Sequence, residues 1–406
     1  MPAEPSVTST QANSASAVSW VVVVAGMTAA LHVGKLPPAL PVLGESLGIT
    51  LVQAGFLLSL VQLAGMSLGV FVGLSADGMG LRRSMLTGLV LLTLASAFGS
   101  AANTAQGLMA WRALEGLGFL LTVMPAPGLI RRHTPVPQLA ARLGWWGSYM
   151  PTGSATALLL GPWVMQLVDW PGWWLLLSAV SALTALTVWR HVPADPPRST
   201  TKASPWPRLL LKVLRSPPAW CVALCFAVYS SQWLSVVGFM PTVTHQMGWS
   251  TAWAGAFTAL VALVNVSGNV GAGRLLQRGW APRHLLWLGF SCMALGALMA
   301  FAPQLPLGLR LVSVLGFSAC GGLIPGTLFS MAVRLAPSED TVSSTVGWVQ
   351  QLSAMGQLGG PPTVAWLAAR AGGWQYTGLA CAACCAVGAV LTLVIHSALL
   401  KKQSGA

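Results

Sequence analysis

The chain of 406 residues is 55% hydrophobic and only 7% charged, where an ordinary soluble domain carries roughly a quarter charged residues, so a water-soluble fold is excluded and a polytopic membrane protein is indicated. Its net charge of +13 is not a nucleic-acid signature, because the basic residues stand singly or in pairs between apolar runs without interleaved aromatics. The seven cysteines all fall inside apolar runs and read as small packing residues; Cys381 and Cys384 have CxxC spacing but no further ligands nearby, so no metal site is expected.

Residues 1–17 are polar and rich in Ser, Ala and Thr, and are expected to form a cytoplasmic tail. A span needs about 20 apolar residues as a helix, and the first runs from Val18 to Leu40, with His32 and Lys35 three apart on one face. The second span, Leu51 to Ala76, leads into a compact charged turn ending at Arg82 and Arg83. Glycines there let two helix ends approach, and Asp77 can cap the next helix or pair with an arginine. The third span runs from Ser84 to Ala101, and the fourth, Gln106 to Ile130, contains Arg112 and Glu115, again three apart and able to neutralise one another. Leu143 to Val168 is the fifth span, Asp169-Trp170-Pro171-Gly172 a turn, and Trp173 to Trp189 the sixth.

The Pro-rich segment 192–216 is nowhere apolar enough to span and is expected to be a cytoplasmic linker between halves 18–191 and 217–400. Six further runs follow: Pro218–Met240, Ala252–Gly273, Leu285–Ala302, Leu307–Val333, Val342–Ala369 and Trp374–Leu400, with 401–406 as a second tail. On this topology all but Lys35, Arg112, Arg310 and Arg370 of the 21 Lys and Arg fall on one side, which places both termini in the cytoplasm. Most tryptophans lie near span ends, as interfacial anchors.

The two halves repeat. Arg112 to Phe119 aligns with Arg310 to Phe317, an offset of 310 − 112 = 198. Gly144, Trp145 and Gly153 align with Gly347, Trp348 and Gly356 at 347 − 144 = 203, and Gly172-Trp173 with Gly373-Trp374 at 373 − 172 = 201. Near-constant offsets imply a duplicated six-span unit, with a central site between parallel repeats.

Several of these residues carry a family resemblance. Gly73, Asp77, Gly80, Arg82 and Arg83 resemble the signature loop between the second and third helices of the major facilitator superfamily, which implies a cytoplasmic gate. Arg112, Gly116 and Gly118 resemble a second motif of that family, Arg-x-x-x-Gly-x-Gly. Gly153, Gly161 and Pro162 resemble the motif typical of its exporters, without the closing double glycine. Leu40-Pro41 to Gly55 and Gly238-Phe239-Met240-Pro241 look like the cyanate and nitroimidazole permease group, which implies small organic or inorganic anions.

The expected architecture is therefore an all-α membrane protein of twelve transmembrane helices in two parallel-repeat six-helix bundles. An ionisable group at membrane depth costs about 2.5–3.5 kcal/mol on insertion scales and is a functional candidate by default. His32 and Lys35 are expected to face the central cavity, since the resemblance makes the first helix a cavity-lining one; the alternative is a lysine that snorkels to the headgroups. Arg112 and Arg310, with Tyr229, Gln232 and Trp233 of the seventh span, complete the expected substrate site. The structural alternatives are an Arg112–Glu115 lock between helices and, for the seventh span, interhelical hydrogen bonds. Asn265, Asn269, Gln350 and Gln351 serve packing as readily as substrate.

With Glu115 the single carboxylate inside a span, it is the expected coupling group, and the excess of cations points to an anionic small-molecule solute. There is no Walker A lysine motif, so ATP is not the expected energy source, and no cofactor or nucleic-acid partner is expected. An intramembrane enzyme would need a nucleophile with its base or a metal cluster at membrane depth, and neither pattern occurs, so an enzyme is not expected. The remaining expectations are a secondary transporter, with drug export as the alternative, acting as a monomer in the cell (inner) membrane.

Overall fold

The computed structural model describes residues 9–69, 80–135, 142, 145–146, 148–195, 206–338 and 341–403, and these are helical throughout apart from turns. Lipid offers no hydrogen bonds to a backbone, so a long apolar run must satisfy its own peptide groups as a helix. The long helices are α1 (Ser9–Gly34), α2 (Leu51–Gly69), α3 (Leu81–Gly99) and α4 (Ala105–His133). A 43-residue stretch, Tyr149–His191, follows. In the second half come α7 (Pro217–Gln246), α8 (Thr251–Gln277), α9 (Pro282–Ala300), α10 (Leu307–Arg334), α11 (Val342–Ala371) and α12 (Thr377–Gln403).

Among the described residues, ten helices are long and apolar enough to cross a membrane. The 43-residue stretch is one of them, and it breaks at Asp169, whose φ of 54° and ψ of −179° lie outside helical geometry. The break separates α5 (149–167) from α6 (170–191) at the turn expected from Asp169-Trp170-Pro171-Gly172. The twelfth span is α11, which is less apolar because it carries Gln350, Gln351, Ser353 and Gln357. This is the twelve-helix arrangement of two six-helix bundles expected above.

Local sequence starts the helices. Thr50 caps α2 by accepting the Gln53 N–H at 3.2 Å, and the Gln53 side chain returns the bond to the Thr50 N–H at 2.9 Å, a capping box. Thr104 accepts the Gly107 N–H at 3.1 Å to start α4, and Ser250 the Trp253 N–H at 3.4 Å to start α8. The repeat is visible in the breaks as well: α4 interrupts after Val123 and α10 after Gly321, a separation of 321 − 123 = 198.

Each bundle holds most of an apolar core, a third apolar cluster crosses between the halves with Phe239 and Ala365 beside Leu36, Leu57 and Trp173, and large exposed side chains such as Leu167, Leu183, Trp253 and Val312 look outward, as lipid-facing surface does. Between the halves, α2 packs on α11 and α5 on α8. These contacts are closest at the face opposite the termini. A methyl group on Gly55 would stand 2.8 Å from the Cα of Pro362, and one on Gly255 would stand 2.5 Å from the Leu158 carbonyl oxygen. Both positions need a residue with no side chain, because the obstacle is backbone. Gly55→Leu is therefore expected to wedge the halves apart on that side, read as a lengthened distance between spin labels placed at the adjoining ends of α2 and α11. An unchanged distance would mean that the two helices do not meet there in the membrane.

Candidate functional site

Four ionisable side chains converge inside the first bundle. The end of α1 presents His32, Lys35 follows directly after it with its N–H still bonded to the Leu31 carbonyl at 2.8 Å, and α4 presents Arg112 and Glu115 three apart on one face. All four are enclosed, with 0% exposure for His32 and Lys35, 2% for Arg112 and 1% for Glu115. The Lys35 ammonium is in hydrogen-bond contact with Glu115 Oε1. Arg112 Nη1 donates to Glu115 Oε2 at 2.8 Å, and His32 Nδ1 stands 3.6 Å from Oε1. Glu115 thus bridges three basic side chains, and buried charge of this kind is tolerable only when paired and hydrogen-bonded.

Further groups fix the cluster. Lys35 Nζ donates to Ser96 Oγ of α3 at 2.9 Å, and Ser96 donates in turn to the Trp174 carbonyl at 2.9 Å. The ammonium also lies 4.5 Å from the centre of the Trp174 ring, a cation–π contact. His32 Nε2 is 2.7 Å from Ser181 Oγ of α6. Arg112 Nε donates to the Leu57 carbonyl of α2 at 3.1 Å, and Nη1 also reaches the His32 carbonyl. Helix α2 tightens just beyond, into a 3-10 turn at Leu60–Gln62. Gly116 lets α4 lie against it, since a methyl there would stand 2.5 Å from the Val61 oxygen. Ser96, Ser181 and Trp174 carry no sequence signal that separates them from other serines and tryptophans in apolar runs.

In this structure His32 and Lys35, expected to face the central cavity, turn to Glu115, Ser96 and Ser181 of their own bundle. At this depth a lysine is better stabilised by a carboxylate within its own bundle than in a cavity between bundles. Arg112 and Glu115 pair as the spacing suggested. Tyr229, Gln232 and Trp233 are also held inside their own half. The Tyr229 hydroxyl accepts from Asn265 Nδ2 at 3.1 Å, Gln232 Oε1 accepts from Cys385 at 3.2 Å, and Trp233 Nε1 donates to Ser318 Oγ at 3.1 Å. Arg310 is half-buried and donates to the Ala300 carbonyl at 2.9 Å. The structure does not bring these four to the ionisable cluster.

A cavity of about 510 Å³ lies between the bundles in the half nearer the termini. Gln62 of α2, Phe119 of α4, Trp146 and Tyr149 near the start of α5, and Gln350 and Gln357 of α11 are among its lining residues. Phe119 lies one helical turn from Glu115 along α4, so the ionisable cluster sits just beyond the cavity wall. None of the seven residues expected to bind substrate is among the described residues that line it.

Of the expected gate, Gly73 and Asp77 lie outside the described residues. Gly80 begins α3 with φ of 91°, a left-handed conformation that favours glycine. The cap on α3 comes from a residue the sequence did not single out. Asp195, in the segment expected to be a linker, accepts the backbone N–H groups of Arg82 and Arg83 at 3.1 and 3.0 Å. It also lies 3.6 Å from Arg132, while the Arg82 guanidinium donates to the Trp189 carbonyl. Asp195 therefore joins the ends of α3, α4 and α6. Asp195→Ala is expected to lower stability by about 1–2 kcal/mol, mostly through the lost cap, with little from the exposed Arg132 pair. Thermal unfolding in detergent checks this, and an unchanged midpoint would mean that the cap is replaced by water.

Comparison with known proteins supplies a context for this geometry. The sequence profile described as Major Facilitator Superfamily matches residues 18–355. The 2-nitroimidazole transporter of Escherichia coli is 26% identical, over 83% of this chain and 84% of that protein. The cyanate transport protein of Escherichia coli is 24% identical, over 75% and 78%. A cephamycin export protein of Amycolatopsis lactamdurans is 28% identical over 73% of this chain, which spans 60% of that protein's length. Among solved structures, a bacterial homologue of the human lysosomal transporter Spinster, inward-facing and occupied, superposes with a TM-score of 0.78 at 16% identity, covering 95% and 97% of the two chains. The D-xylose–proton symporter gives 0.73 at 17% identity, covering 93% and 96%.

Proposed function

The chain belongs to the major facilitator superfamily, and from that premise we propose that it is a secondary active transporter that couples movement of a small solute to a proton carried by Glu115. That it is a multi-pass membrane transport protein follows from the family and the fold; the coupling is our reading. The observation that carries it is the burial of one carboxylate between two cations from separate segments, Lys35 just after α1 and Arg112 of α4. While Lys35 and Arg112 stay in contact, Glu115 has no need of a proton. If the Lys35 segment shifts against α4 within the first bundle during the cycle, Glu115 keeps only Arg112 of its two cations, and a less compensated carboxylate in a medium of low polarity binds a proton more readily. A carboxylate that alternates between those two environments moves a proton with each cycle.

Lys35 and Arg112 against Glu115 leave one positive charge uncompensated, which favours an anion only for a solute that reaches the cluster itself; the cavity beside it, taken as the transport site, has no charged side chain among its described lining residues. The reading also places both termini in the cytoplasm of a cell-membrane protein acting as a monomer. Export of a drug-like compound is the second reading, favoured by Gly153, Gly161 and Pro162 in α5 and by the packing of Pro162 against Gly255.

Purified protein in liposomes, with a pH gradient of either polarity, tests the coupling with radiolabelled cyanate, 2-nitroimidazole and a cephamycin as probes. Accumulation of at least one, collapsed by a protonophore, is the expected result. Accumulation that survives the protonophore would remove the proton, and no movement of any probe would remove the transport reading for these solute types.

A further inference from the structure

The cavity and the ionisable cluster differ in chemistry. Among the described residues lining the cavity there is no Asp, Glu, Lys, Arg or His; its polar groups are the side chains of Gln62, Gln350, Gln357 and Ser344, the Tyr149 hydroxyl and the Trp146 indole N–H. An ion entering such a space loses water without gaining a counter-charge, whereas an uncharged polar group loses little if its hydrogen bonds are replaced.

Two of these amides meet across the halves. Gln62 Nε2 of α2 donates to Gln357 Oε1 of α11 at 3.0 Å, and Gln357 Nε2 donates to Ser353 Oγ at 3.2 Å. An amide carries two N–H donors and an oxygen with two acceptor sites. After these two bonds each glutamine still has one N–H and acceptor capacity to offer. Beside them, the Trp146 and Tyr149 rings stack at 4.2 Å between centres and 17° between planes, a flat wall suited to a planar group. Gln62 closes the 3-10 turn of α2, a few residues from the Leu57 carbonyl that Arg112 holds. Whatever separates Gln62 from Gln357 therefore acts on a segment tied to the ionisable cluster.

Resting on the transporter reading, and taking this cavity between the bundles rather than the charged cluster as the place where the solute sits, we propose that Gln62 and Gln357 recognise the solute, and that it is an uncharged planar compound with a hydrogen-bond donor and acceptor side by side, such as a carboxamide, a lactam or an N-heterocycle with that edge. Such an edge replaces the Gln62–Gln357 bond with one bond to each half. The bundles then stay joined through the solute, and their separation in the empty protein costs the amide pair instead.

Isosteric pairs that differ in charge test this without a gradient: nicotinamide against nicotinate, and pyrazinamide against pyrazinoate. Saturation-transfer NMR on the full chain in lipid nanodiscs reads binding directly. The amides are expected to give signals at least tenfold above those of the carboxylates. Gln62→Leu and Gln357→Leu are each expected to cut the amide signal at least fivefold at an unchanged unfolding midpoint. Should either leucine variant fail to fold, Gln357→Glu keeps the shape, replaces the amide by a carboxylate, and is expected to lose the signal as well. Carboxylates that bind as well as the amides, no amide signal, or full amide signal in the folded variants would each overturn the proposal. Those outcomes leave the transporter reading to the vesicle experiment, which uses different probes and measures accumulation.

Discussion

A chain carrying Glu115→Gln together with Lys35→Met is expected to fold and to exchange solute across vesicles, but not to accumulate it against a pH gradient. The single change Glu115→Gln leaves Lys35 and Arg112 buried without their common counter-charge, and removing one partner of a buried ion pair costs about 3–5 kcal/mol. That variant alone would confuse a folding defect with lost coupling. The double variant removes one positive and one negative charge, so the cluster keeps the excess it has in the native chain, and methionine fills the space of the lysine stem. Its unfolding midpoint should lie well above that of the single variant. Retained exchange with lost gradient-driven accumulation then isolates the proton-carrying role. Full gradient-driven accumulation by the double variant would show that Glu115 only offsets its neighbours and that the proton travels elsewhere.

Arg112→Lys is expected to be nearly as damaging as loss of the residue, although the charge is kept. The guanidinium reaches three groups on three elements: the Leu57 carbonyl of α2, the His32 carbonyl of α1 and the Glu115 carboxylate of its own helix. Its planar fork does this from fixed directions, whereas an ammonium is a single point that can meet Glu115 but not both carbonyls. Two buried carbonyls left without a donor correspond to a loss of about 2–4 kcal/mol. Uptake should fall at least tenfold, and the unfolding midpoint should drop even where the protein still inserts. Native stability in the lysine variant would mean that the carbonyl contacts contribute nothing and that charge alone matters at this position.

The amino-acid sequence by itself determined the number and order of the spans, because apolar length and the cost of bare peptide groups in lipid leave a helix as the solution for each run. It also determined the turn at Asp169, the register of the repeat and the pairing of Arg112 with Glu115, since residues three apart on one helix are neighbours before any tertiary structure forms. It singled out His32 and Lys35 by the rarity of ionisable groups at membrane depth. Only the tertiary structure decided which way they point. Helical periodicity states which residues share a face but not what that face meets, so the junction of Lys35 with Glu115, 80 residues away, was invisible. The same holds for Ser96, Ser181 and Trp174, ordinary residues made specific by position. Gln62 and Gln357 meet across 295 residues, and Asp195 caps α3 from the segment that looked like a plain linker. Apolar length acts within one segment and can be read there; hydrogen bonds and ion pairs between segments depend on how helices rotate and pack, and that is settled only when the bundles close.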